Sequence, residues 1–221
     1  MMSSHLTQKM MMRSDELIPK YGDYNKLAVY QIATLVYAIT RHFTDVCFSR
    51  GDRTIDQMVQ AARSAKQNIA EGSVDGATSS EMEIKLMNVA RGSMHELQAD
   101  YEDFLLHNRL QQWTKDDPRT LRTRAYTRVH RDPRDFLDKI QSRSPETVAN
   151  IALTLIHQYD YLMARLLKSI EARFLANGGF KEQMYNARVA ARRRQQLPPS
   201  PPSSPSSPSS PSSQPPPSSQ R

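Results

Sequence analysis

The sequence predicts an all-α protein: an antiparallel up-and-down four-helix bundle, with an Arg-rich insertion between helices three and four and a disordered Pro/Ser tail. Three observations predict it. Four long stretches place apolar residues on one side at helical spacing. Turn and cap signals separate them, at Ser49-Arg50-Gly51-Asp52, at 73–80 and at Ser144-Pro145. From Pro198 onward the chain is almost wholly proline, serine and glutamine, with nothing to bury against a core.

Residues 1–23 read as a flexible arm, and 24–177 as the bundle. The first helix covers about 25–48. Leu27, Tyr30, Leu35, Ile39, Phe43 and Val46 form its stripe, widened by Ala33 and Val36. The second helix covers 57–72. Thr54 and Gln57 have capping-box spacing, and Gly72 stands where a helix commonly ends in a left-handed residue. Ile55, Met58, Val59, Ala62, Ala65 and Ile69 share one side, which the two alanines keep thin enough for a close neighbour. Arg63, Lys66, Asn68 and Glu71 lie off that stripe, free for polar contacts.

The third helix covers about 80–110. Ser80 with Glu83, and Thr78 with Glu81, have capping-box spacing. Its stripe is Leu86, Val89, Ala90, Met94, Leu97, Tyr101, Phe104 and Leu105. At 1.5 Å per residue it would be ~45 Å long, which suits an up-and-down bundle.

Residues 114–143 break the pattern as a long connection punctuated by Pro118 and Pro133. Arg119, Arg122, Arg124, Arg128, Arg131 and Arg134 crowd it, interleaved with Asp116, Asp117, Asp132, Asp135 and Asp138. A short helix over 133–141 would dock Phe136, Leu137 and Ile140. A connection this long is more often functional than accidental. The fourth helix starts at Ser144-Pro145, a good N-cap followed by a good first residue. Val148, Ile151, Leu155, Tyr159, Leu162, Leu166, Ile170 and Phe174 are its stripe, and Asn177-Gly178-Gly179 ends it. Residues 178–197 add a short basic helix with Arg192, Arg193 and Arg194, before the tail at 198–221.

Composition bounds the function. The chain of 221 residues suffices for one core domain with appendages, and the tail explains part of the low 38% hydrophobic content. The net charge is +7, unevenly spread. Residues 24–113 hold nine basic and eleven acidic groups, whereas 114–197 hold seventeen and nine. A basic second half calls for an anionic partner. Cys47 is the one cysteine, so no internal disulfide forms and a reducing, cytoplasmic setting fits. No stretch is long and apolar enough for a membrane span or a secretion signal.

Catalytic constellations are missing from the sequence. Di-iron bundles need Glu-x-x-His pairs. Here Gly92, Phe104 and Thr154 stand three before His95, His107 and His157. His42 and Cys47 have no second pair for zinc. There is neither a nucleophile elbow nor a Gly-rich phosphate loop. Asp100, Glu102 and Asp103 read as a solvated face. The expectation is a protein that is no enzyme, with no catalytic residues, no metal site and no cofactor. The arginines at 119–134 and 192–194 form the candidate nucleic-acid surface, because guanidinium groups are bidentate phosphate donors. Tyr126 among them could stack on a base. The bland alternative is a solubilising surface with internal Arg–Asp pairs.

The motif QAARSAKQNIAEG at 60–72 resembles the signature of the 23S rRNA intervening-sequence proteins, a four-helix-bundle family that includes Avd-like accessory proteins of retroelements. YNKLAVYQIA at 24–33 looks like that family's first helix, and TSSEMEIKLMNVARGSMHEL at 78–97 like its third. QWTKDDPR at 112–119 and GGF at 178–180 look like the subgroup with a C-terminal suffix. The resemblance implies the bundle fold and a homo-oligomer, pentameric in Avd-like relatives. It also implies a clasp between helices or subunits built on Arg63, Asn68, Glu71 and Gly72, which match the motif. With the basic surface, it makes RNA the expected ligand, alone or alongside a partner such as a reverse transcriptase. The alternative is a protein-interaction scaffold that binds no nucleic acid.

Overall fold

The computed structural model describes residues 23–76, 79–177 and 180–196, and every regular element among them is helical. A 3-10 turn, Tyr24–Lys26, leads into α1 (Ala28–Cys47). There follow α2 (Arg53–Asp75), α3 (Ser80–His107), α4 (Pro118–Val129), α5 (Pro133–Ile140), α6 (Pro145–Asn177) and α7 (Phe180–Gln196). Residues 1–185 form one unit and 186–221 a second, each taken by itself. The first carries α1 to α6; the second holds the end of α7. The expected arm and tail lie outside the described residues, as do Thr78, Gly178 and Gly179.

In the first unit, α1 packs against α2 and α6, and α3 packs against the same two helices. The core between them is aliphatic, with methionine filling the gaps. Leu35, Ile39, Met58, Ala62, Ala65, Ile69, Met87, Met94, Leu97, Leu155 and Ile156 are fully buried. Phe43 packs against Tyr101 and Phe104 with ring centroids 4.9 and 4.8 Å apart. Tyr101 is saturated by donating to Thr40 Oγ1 at 3.0 Å. Two expected stripe positions, Val46 and Val89, face solvent instead, and Met87 takes the place beside Ala90.

Helix boundaries depart from expectation at three caps. Asp52 caps α2 by accepting from Thr54 N at 2.9 Å, so the helix begins before the expected capping box. Gly72 does not end α2, which continues to Asp75 and stops at Gly76. Gly72 is instead where α3 comes closest: a Cβ there would lie 3.1 Å from Leu86 Cβ and 3.3 Å from Met87 Cε. Ser79, rather than Ser80, caps α3 through Met82 N at 3.2 Å. At its other end α3 stops at His107. Arg109 takes a positive φ of 55° and Leu110 N reaches back to Leu105 O at 2.8 Å, a Schellman closure.

The insertion is the largest departure. Residues 114–143 hold two helices rather than one, and the arginine stretch is itself helical. The expected 133–141 helix forms as α5, with Phe136 and Ile140 buried against the core.

Candidate nucleic-acid interface

One tripeptide opens both insertion helices. Asp117-Pro118-Arg119 starts α4 and Asp132-Pro133-Arg134 starts α5. In each, the aspartate accepts from the arginine backbone N–H, at 2.7 Å in α4 and 2.9 Å in α5. Proline supplies the first helical φ. The same arginine folds back on the aspartate through Nε and Nη2, at 3.0 and 2.8 Å for Arg119 and at 3.2 and 2.9 Å for Arg134. The arginine side chain, then its backbone N–H, hold both carboxyls below the usual carboxylate range. Arg119 and Arg134 are therefore largely engaged in closing helix ends. The interleaved aspartates account for two of the six expected phosphate contacts.

The other four arginines divide between two flanks of α4. Thr120 and Thr127 point inward and are buried, while Leu121, Ala125 and Val129 face solvent. Arg124 and Arg128, with Arg131 just beyond the helix, lie on the flank turned to α6 and the start of α1. Arg122 lies on the other flank, towards α5. The insertion arginines thus do not form one surface.

The first flank makes a groove of about 410 Å³. Arg124, Arg128 and Arg131 line it from one side; His157, Gln158 and Tyr161 of α6 line it from the other. Among the described residues no carboxylate lines this groove. Arg131 is anchored by donating Nη1–H to Gln31 Oε1 at 2.8 Å. Arg124 reaches only a carbonyl, that of Lys115, at 3.4 Å. Arg128 is exposed and makes no hydrogen bond or ion pair among the described residues. Tyr161 is 63% exposed, with the Arg165 guanidinium 5.8 Å from its ring centroid.

Tyr126, the expected stacking residue, is engaged within the protein. His130 stacks on it at 4.1 Å and 13°, Phe136 meets its edge at 5.2 Å, and Lys139 stands 4.4 Å from its centroid. The open aromatic ring in the groove is Tyr161. Sequence reading missed it, together with His157. The available signal was a His and a Tyr four apart, on a side of helix four that its apolar stripe leaves unused.

The matched motif residues behave unequally. Asn68 Nδ2 donates to Ser64 O at 2.9 Å and to Ser64 Oγ at 3.1 Å, and the Ser64 and Ser93 hydroxyls meet at 3.0 Å. A polar link between α2 and α3 therefore exists, supported by Asn68, whereas Gly72 contributes close packing against Leu86 and Met87 rather than a polar contact. Arg63 and Glu71 are exposed and stand outside it. Arg192 and Arg193 are exposed on α7; the side chain of Arg194 lies outside the described residues.

An acidic cavity of about 730 Å³ lies at the opposite end of α1, where Asp52, Asp100 and Asp103 approach Cys47 and Phe48. Asp100 is half-buried rather than solvated. Burial, then Asp103 and Glu96, raise its carboxyl above the usual range. Burial also pushes the Cys47 thiol up to about 11, so it stays protonated at neutral pH. Among the described residues no group of three or more His, Cys, Asp or Glu is placed to hold a metal ion, and no helix is long and apolar enough to cross a membrane. No protein-family model, curated protein or solved structure matches the chain.

Proposed function

We propose that this chain is a non-enzymatic nucleic-acid-binding protein that holds single-stranded RNA in the groove between α4 and α6. The observation that carries this reading is the convergence of Arg124, Arg128 and Arg131 with exposed Tyr161, in a groove that no carboxylate lines among the described residues. Three guanidinium groups suit successive phosphates, and a tyrosine ring gives one base a stacking platform. His157 adds a ring nitrogen on the same wall. The resemblance to rRNA intervening-sequence proteins favours RNA over DNA. It also supports a cytoplasmic homo-oligomer, pentameric as in Avd-like relatives, working beside a protein partner such as a reverse transcriptase.

The long helices α1, α2, α3 and α6 then form an antiparallel up-and-down bundle. Two contacts support this order. Arg173, late in α6, pairs with Glu83, early in α3. Asn150, early in α6, bonds Trp113 N at 2.7 Å and Gln111 O at 2.8 Å, just after α3 ends.

The alternative scaffold reading draws on Val129 and Leu121, 80% and 51% exposed on the outer side of α4. One titration separates the two. Labelled single-stranded and hairpin RNA are titrated with wild type, with Arg124→Ala/Arg128→Ala and with Arg134→Ala. The double variant should bind about 100-fold or more weakly, since two charge-assisted contacts are lost and each is worth ~1.5 kcal/mol or more. Arg134→Ala should bind like wild type. Wild type that binds neither RNA at low salt would remove this reading and leave the scaffold.

A further inference from the structure

We propose that the other flank of α4 forms a second ligand site, one that takes a single nucleotide by its phosphate and base. This cavity is about 480 Å³, within the range of small-molecule sites. α4, α5, the start of α6 and the segment after α3 line this open cavity. Its cations are Arg119, Arg122, Lys139 and Arg143, and among the described residues no carboxylate lines it.

Two of these cations are committed to aromatic rings and two are not. The Arg119 guanidinium stands 4.6 Å from the Trp113 ring centroid while bound to Asp117, and Lys139 stands over Tyr126. Arg122 makes no hydrogen bond or ion pair among the described residues, and its charge is near enough to Asp117 to help lower that carboxyl. Arg143 reaches a single carbonyl, that of Lys139, at 3.4 Å. Arg122 and Arg143 are the phosphate ligands, with Lys139 beside them. The fork geometry of guanidinium suits phosphate oxygens.

The remaining wall is apolar and aromatic: Trp113, Phe136, Ile140 and Ile151. Such a wall accommodates a flat heterocycle, and a simple inorganic anion would leave it unused. The Trp113 Nε1–H is buried and has no acceptor among the described residues. The combination of free guanidinium groups and an apolar wall points to a nucleotide. The phosphate could belong to a free nucleotide or to one residue of a strand. The cavity and the strand groove both draw on α4 and α6 but share no lining residue, so either site can fail alone.

Trp113 is the chain's one tryptophan, so its fluorescence reports directly on this cavity. The full chain is titrated with uridine monophosphate, with inorganic phosphate and with a short oligouridylate carrying no terminal phosphate. Saturable change of Trp113 emission by the monophosphate is expected. Arg122→Ala/Arg143→Ala should weaken it about 10-fold or more, and Arg128→Ala should leave it unchanged. A change produced by the oligonucleotide alone, with the same dependence on Arg122 and Arg143, supports the site and assigns its phosphate to a strand. No saturable change with either nucleotide form would overturn the proposal. So would an unaltered response in the double variant, or inorganic phosphate binding as tightly as the monophosphate. Both arginines are exposed, so the double variant should melt like wild type. Should it not, Arg143→Gln alone must weaken the fluorescence response several-fold, and an unchanged response there overturns the site as well.

Discussion

Gly72 sits where α2 meets α3, and the space there decides what can replace it. The Met87 methyl group can move aside, but Leu86 Cβ is fixed to the backbone. Gly72→Ala gains up to ~1 kcal/mol of helix propensity and loses a similar amount to crowding, so its denaturant midpoint should stay near wild type. Gly72→Val adds two further methyl groups and a restricted χ1. It should lose about 2–3 kcal/mol at unchanged m-value, and a wild-type midpoint would show that the contact has room. Asp160 makes a different kind of prediction. It accepts from Arg91 Nε at 2.7 Å and lies 3.1 Å from His95 Nε2. Burial alone would raise its carboxyl, yet the two hydrogen bonds and their charges hold it below the usual range. A carboxylate depressed in the folded state contributes stability above its unfolded pKa and loses it as pH falls through the folded value. The urea midpoint should therefore fall as pH drops below about 4. Asp160→Asn should lower the midpoint at neutral pH and flatten that acid limb. Parallel acid limbs in the two proteins would mean that Asp160 is not the linked group.

α4 shows how a helix can hide in a sequence. Its inward positions are Thr120 and Thr127 rather than aliphatic residues, so no apolar period marks it. Thr123 and Thr127 hydroxyls bond back to Arg119 O and Thr123 O at 2.9 and 2.6 Å, while the buried Thr120 hydroxyl has no partner among the described residues. The cue that survives is its start, the same Asp-Pro-Arg that opens α5. Removing that cap should fray α4 first. Asp117→Ala should lower helical circular dichroism slightly and the melting temperature by a few degrees, whereas Asp117→Ser, itself a good cap, should restore most of both. An unchanged melt in Asp117→Ala would mean α4 is held by Arg131 and the core alone. The same logic explains what else was legible. The stripes of α1, α2, α3 and α6 are aliphatic and long, so the sequence pattern reveals them. Cap positions shift by one or more residues because neighbouring Ser, Thr and Asp compete for the same orphan N–H groups, as Ser79 and Ser80 do. Arginine clustering was legible as charge. Its division into paired and free groups was not, because it depends on which helix flank each residue occupies, and the open ring of Tyr161 comes from a distant element.

Of the net charge of +7, five positive charges fall at 186–221, and residues 1–185 carry a net +2 in which a basic and an acidic region stand apart. Ile32 borders the basic groove and Cys47 the acidic cavity, so the two sites lie fifteen helical positions apart on α1, or about 22 Å. That separation exceeds the Debye length of ~8 Å at physiological salt, so Asp100 and Asp103 barely weaken a strand held at the other end. Binding should then be governed by the arginines in contact. Three phosphate contacts on a single strand predict a log–log salt slope of about −2. Arg128→Ala should reduce its magnitude to about 1.4, one contact fewer at ~0.7 each. Arg134→Ala should leave the slope alone, because Asp132 already neutralises that guanidinium. Asp100→Asn/Asp103→Asn should change neither slope nor affinity appreciably at physiological salt. The measurement is a titration of labelled single-stranded RNA at several salt concentrations for all four proteins. A slope unaffected by Arg128→Ala would move the strand off this groove. A slope that falls equally in Arg134→Ala would mean that the aspartate releases its arginine on binding, and that the paired residues belong to the interface after all.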